Sequence, residues 1–206
     1  MCRKNALLAA RVLLAAARRV GVRVVGPSSI GIISPGLAKV GSVGSGGIDR
    51  IFTRGNVGVI SKSGGMTAEV VAVLHKAGIG ESTAVGIGGD QIIGSDFVDL
   101  LELFEKDKQT LATVIFGEIG GTYEERVAEY VVTKKIKKPI VAVVAGKFTA
   151  TLPQGTVLGH AGAIVARGRG GYTSKVNTLR RAGVLIAPTL DEVPFLLKQA
   201  LGKKMK

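Results

Sequence analysis

The stretch Gly159-His160-Ala161-Gly162-Ala163-Ile164 sets an imidazole among residues with almost no side chain. Neutral imidazole is a good nucleophile near pH 7, and flanking glycines let a bulky anion such as a phosphoryl group reach the ring and the backbone N–H groups. His160 is therefore the first candidate for covalent chemistry, although a loop histidine bonded to a neighbouring carbonyl has the same local sequence. Glu118, between Gly117 and Ile119 at an expected strand end, is a carboxylate that would be costly there without a partner. Bonded to the other nitrogen of His160, it would fix the tautomer and stabilise a phosphorylated or protonated ring; alternatively it caps the following helix. Ser63-Gly64-Gly65 opens a helix directly after a strand. Its unpaired N–H groups and the positive end of the helix dipole make an anion site, and an ordinary serine N-cap reads the same way.

Other polar residues carry less. Lys62 is not placed like a phosphate-loop lysine, and the chain has no G-x-x-x-x-G-K-[ST]. His75, near a helix C-terminus, is expected only to complement the dipole. Asp90, after a run of glycines, is either a helix cap or a ligand contact. The two histidines are far apart, with neither H-x-x-x-H nor C-x-x-C, so no metal site is expected.

The elements that must position these groups follow from periodicity. Helical spacing covers Leu7 to Val20, and an apolar strand-like run covers Val22 to Gly26. A Gly/Ser/Pro-rich crossing, residues 31–54, is expected as a linker. Strands are then expected at Val57–Ile60, Thr83–Ile87, Ala112–Phe116, Ile140–Val144 and Val184–Ile186. Helices are expected at Met66–Ala77, Asp96–Phe104, Tyr123–Thr133, Lys175–Ala182 and Leu190–Leu201. Apolar strands alternating with helices predict an α/β fold: a flavodoxin-like, doubly wound, parallel five-stranded sheet covered on both faces. Ligands of such sheets bind beyond the carboxyl ends of the strands, which is where the glycine clusters fall.

Composition narrows the partners. The chain has 206 residues and 46% hydrophobic content, enough for one sizeable core. The net charge of +13 is scattered over Arg3 to Arg23, Lys134 to Lys138 and the tail, and aromatics are only 4%, so a base-stacking nucleic-acid surface is not expected. No apolar run reaches the roughly 20 residues of a membrane span, and the single Cys2 fits a reducing, cytoplasmic setting. The acid-free, Arg-rich start of the chain also suits an organelle transit peptide, but its continuation into Val22 to Val25 suits a structural helix better.

Gly86 to Asp90, Gly117 to Gly121 and Gly159 to Ile164 together resemble the motifs of the nucleoside-diphosphate-forming acyl-CoA ligases, as in the α subunit of succinyl-CoA synthetase. The resemblance runs from about Ala15 to the end. It implies that His160 is a phosphohistidine with Glu118 as its stabilising carboxylate, and that Ser63 with the N–H groups of Gly64 and Gly65 forms a phosphate cradle. It implies substrate contacts at Gly120, Gly121 and Gly162. It also implies CoA and ATP or GTP as substrates, and an ATP-grasp β-type partner subunit that holds the nucleotide with Mg2+. The expected activity is acid–thiol ligation through phosphorylation of His160, an acyl phosphate, and attack by the CoA thiol.

The sequence departs from that family in three places. Residues 1–30 correspond to only the last helix and strand of a Rossmann CoA-binding domain, ahead of the linker at 31–54 and a ligase domain at 55–206. The family's G-P-N-C-P-G is here Gly26-Pro27-Ser28-Ser29-Ile30-Gly31. Ser61 to Met66 and the long loop from Gly146 to His160 look more like ATP-citrate lyase and citryl-CoA synthetase. The carboxylate expected is thus succinate, citrate or another acid, and a truncated, non-catalytic binding module is the alternative to an enzyme.

Overall fold

Along each central strand, side chains alternate between two cores. Val57 and Val59, Val114 and Phe116, and Val141 and Val143 enter one; Ile60, Ile115, Ala142 and Val144 enter the other. That period of two, with apolar residues on both faces, makes strands that are buried on both sides. The computed structural model describes residues 3–44, 48–90, 92–151 and 170–204. Its strands are β1 (Gly31–Ser34), β2 (Ala38–Gly41), β3 (Arg54–Ser61), β4 (Glu81–Gly86), β5 (Ala112–Glu118), β6 (Ile140–Ala145) and β7 (Leu185–Ile186). Its helices are α1 (Arg3–Arg19), α2 (Gly64–Lys76), α3 (Phe97–Lys106), α4 (Tyr123–Lys134), α5 (Tyr172–Arg181) and α6 (Val193–Lys204).

The sheet order is β2-β1-β4-β3-β5-β6-β7. From β4 to β7 all pairings are parallel, and these five strands lie in the flavodoxin order, second-first-third-fourth-fifth. Val70, Val71 and Leu74 of α2 and Val193 and Leu197 of α6 cover one face. Phe97, Leu100 and Phe104 of α3, Val127 of α4, and Val176 and Leu179 of α5 cover the other.

The sheet is wider than the expected five strands. Residues 31–54, expected as a linker, carry the hairpin β1–β2, which pairs antiparallel along β4 and adds two strands to that edge. The glycines there serve close packing. Gly31 (φ +107°) and Gly41 (φ +93°) face each other in register, and a Cβ on Gly31 would run into the carbonyl of Val40. The run 22–26, expected as a strand, joins no sheet. Its carbonyls are taken by the loop before α3: Gly94 N–H donates to Gly26 O at 2.7 Å and Ser95 Oγ to Val24 O at 2.7 Å. An apolar run without a neighbouring strand stays extended chain. Helix α1 is held by Leu14, which is buried, while Leu8, Val12 and Leu13 are exposed. Among the described residues no helix is long and apolar enough to cross a membrane.

Candidate functional site

The parallel strands deliver their last residues to one rim. Beyond β3 lie Lys62 and Ser63, beyond β4 Ile87 to Asp90, beyond β5 Ile119 to Gly121, and beyond β6 Gly146. Backbone bonds tie these exits together: Lys62 N–H donates to Phe116 O at 3.1 Å and Ile87 N–H to Ser61 O at 2.8 Å.

Ser63 is the N-cap of α2, its Oγ accepting from Met66 N–H at 3.5 Å, while its own N–H is held by Ser61 Oγ at 3.1 Å. The first turn is therefore fixed in orientation. Gly64 is pressed against Ile30, so no side chain fits there, whereas nothing lies within 4 Å of where a Cβ of Gly65 would be. Space is thus open beside the first turn at Gly65, and the N-terminus of a helix carries N–H groups without intrahelical acceptors, which suits an anion.

Glu118 ends β5 and does not cap α4; the cap position is Thr122. Its Oε1 lies 3.4 Å from Nζ of Lys62, with side-chain exposures of 12% and 1%. The Lys62 ammonium also sits 5.4 Å from the centre of the Tyr123 ring. Burial pushes the Tyr123 hydroxyl's pKa upward, with the Asp96 carboxylate adding to the shift. Asp96, N-cap of α3, is paired in turn with Arg126.

Deeper lies a second group of charges. Nζ of Lys175, wholly buried, is bonded to Glu124 and lies 3.1 Å from Oε2 of Glu125. Across both groups, three carboxylates (Glu118, Glu124, Glu125) face two ammoniums (Lys62, Lys175).

The rim thus unites Ser63, Gly64, Gly65, Glu118, Gly120 and Gly121. His160 and Gly162 lie outside the described residues. Asp90 is half-buried and caps no helix, that role before α3 belonging to Asp96. His75 sits in the last turn of α2. Among the described residues no cluster of three or more His, Cys, Asp or Glu could hold a metal ion. Sequence reasoning set Lys62 aside and missed Glu124, Glu125 and Lys175. One signal was available: Lys175 is a cation in the first turn of α5, the wrong end of a helix dipole unless a carboxylate meets it.

Residues 60–185, from the end of β3 to β7, match the CoA-ligase family model. The α 1 subunit of the ADP-forming succinate–CoA ligase of Archaeoglobus fulgidus is 48% identical over 184 residues, 89% of this chain and 60% of that protein. A subunit of the ADP-forming sulfoacetate–CoA ligase of Bilophila wadsworthia is 46% identical over 187 residues, 91% of this chain and 62% of that protein. This chain therefore spans about three fifths of the length of these relatives. Among solved structures, ATP citrate lyase from Methanothrix soehngenii, in complex with citrate and coenzyme A, superposes with a TM-score of 0.88 at 30% identity, over 95% of this chain and 32% of that one. Matched across more than half its length by that family model, and close to half identical to these subunits over nine tenths of its length, this chain belongs to the CoA-ligase family.

Proposed function

We propose that this chain is the α-type subunit of a nucleotide-dependent acid–CoA ligase, with His160 as the phosphoryl carrier. The observation that carries the reading is the meeting of Lys62 and Glu118 one residue before the cap of α2. A carboxylate held by a buried ammonium, beside the N-terminus of a helix, suits a site that receives a charged phosphoryl group and the ring that bears it. In this reading His160 takes the γ-phosphoryl of ATP or GTP and releases the nucleoside diphosphate. Glu118 accepts a hydrogen bond from the ring's other nitrogen. Ser63, Gly64 and Gly65 hold the phosphoryl oxygens. Transfer to the substrate carboxylate gives an acyl phosphate and frees the ring, and the CoA thiolate displaces phosphate from the acyl carbon.

The nucleotide and its Mg2+ are held by an ATP-grasp β-type partner. Gly120, Gly121 and Gly162 contact the substrate acid. Residues 55–206 form the ligase domain and 1–30 the last part of a CoA-binding domain, in a cytoplasmic hetero-oligomer. Succinate is the leading acid, on the likeness to the succinate–CoA ligase subunit, and the likeness to ATP citrate lyase supports a citrate-acting alternative.

The test is to assemble the chain with its nucleotide-binding partner, add γ-labelled ATP and map an acid-labile, alkali-stable label. His160→Ala should abolish it, and undiminished labelling of that variant overturns the reading. Discharge by succinate or by citrate in the presence of CoA chooses the acid.

A further inference from the structure

The ammonium of Lys175 is fully buried and touches two carboxylates, each of which uses its other oxygen on a backbone amide. Glu124 is bonded to Lys175 through Oε2, and its Oε1 accepts from Glu118 N–H at 3.1 Å. Glu125 lies 3.1 Å from Nζ through Oε2, and its Oε1 accepts from Gly170 N–H at 3.2 Å. Gly120 N–H donates to Gly170 O at 2.7 Å, closing the ring of contacts.

We propose that Lys175, Glu124 and Glu125 are positioning residues that clamp the backbone of Glu118 to that of Gly170, so that the two sides of the rim hold one spacing. A buried ammonium is tolerated only with good counter-charges, and here the two carboxylates that meet it also reach two separate backbone points, the Glu118 amide at the end of β5 and the Gly170 amide before α5. The sequence around it is shaped to fit. A Cβ on Gly117 would lie 2.5 Å from Oε1 of Glu124, so glycine at 117 is what lets the carboxylate reach the Glu118 amide. A Cβ on Gly170 would lie 2.9 Å from Gly121 O, so glycine at 170 is what lets this segment pack against the backbone of Gly120 and Gly121. Because both anchored points are backbone, the clamp sets where Glu118 stands without using its carboxylate, which remains with Lys62. Misplacement of a reacting group by about 1 Å can cost on the order of a hundredfold in rate.

The effect on chemistry rests on the ligase reading above; the clamp itself does not. The test compares Glu125→Ala and Glu125→Gln with the wild type, in the full chain assembled with its partner. Glu125 is 18% exposed at its side chain, so water can solvate what its truncation uncovers. Backbone amide exchange is read at Gly120 and Gly170, with β3 and β4 as internal references, alongside kcat and KM. Glu125→Ala should speed exchange at Gly170 and Gly120 by about tenfold while the reference strands stay unchanged. It should lower kcat by about tenfold and move KM for the acid by less than about twofold. Glu125→Gln keeps an acceptor for Gly170 N–H and should recover most of both effects. If the alanine variant fails to fold, the glutamine variant alone decides, with exchange at Gly170 expected to rise about threefold. Unchanged exchange at Gly170, or losses equal in both variants and proportional to a drop in Tm, overturns the clamp. A wild-type enzyme that never labels His160 overturns the ligase reading instead, and the exchange comparison still decides the clamp.

Discussion

Lys62 leaves the end of β3, Glu118 ends the neighbouring β5, and their charged ends meet at 3.4 Å while nearly buried. Removing one member of such a pair leaves the other charged group without its counter-charge in a low dielectric, whereas removing both is far milder. Lys62→Met should therefore lower stability by about 3 kcal/mol, and adding Glu118→Gln should restore most of that loss. Chemical denaturation of the two variants and the wild type checks this. If the double variant is no more stable than Lys62→Met, the pair is not the relevant interaction.

Glu81, first residue of β4, lies at the opposite end of the sheet from the rim and is completely buried. Thr53 N–H donates to its Oε2 at 3.2 Å, but burial dominates and pushes its pKa from 4.5 up to about 8. Between those values the folded chain keeps a proton that the unfolded chain has lost. This carboxyl therefore makes stability fall as pH rises from about 4.5 to 8, with the full penalty present above 8. Glu81→Gln should stabilise the protein on the order of 2 kcal/mol at pH 8.5 and almost not at all at pH 4.5. Tm measured across that range for both proteins is the check, and parallel curves would contradict it.

The hairpin gives a third prediction. Gly31→Ala places a methyl group against Val40 O on a residue with φ of +107°. The substitution should cost about 2 kcal/mol and loosen β2 first, since β2 is the outermost strand. Amide exchange across β1 and β2, compared with β5, reads this directly. Equal protection in variant and wild type would show that the edge tolerates the change.

How far the sequence disclosed these features depended on where the information resides. Val57–Ile60, Ala112–Phe116 and Ile140–Val144 were legible because strands buried on two faces become continuous apolar runs. Ala38 to Gly41 was illegible because four exposed residues with glycine neighbours read as loop, and their pairing is fixed only by contact with β1. Val22 to Gly26 misled for the converse reason: it has the composition of a strand but no neighbour to pair with. In the site, Ser63 and Glu118 stood out by their positions at strand ends. Lys62 and Lys175 did not, because a buried lysine is explained only by a carboxylate far away in sequence: 56 positions on for Lys62 and 51 back for Lys175.

Substitution at Gly65 should separate labelling from stability. Nothing lies within 4 Å of a Cβ placed there, and alanine inside a helix is favoured over glycine. Gly65→Ala should thus raise stability by about 0.5 kcal/mol. The same methyl group stands at the open end of α2, where the N–H groups of Gly64 and Gly65 would meet phosphoryl oxygens, and should slow labelling of His160 by roughly tenfold. Gly64→Ala, by contrast, runs into Ile30 and should lower stability and labelling together. Thermal melts with single-turnover labelling of both variants distinguish the cases. A Gly65→Ala protein that melts higher and labels at the wild-type rate would mean that the end of α2 is a structural cap and that the phosphoryl group is held elsewhere.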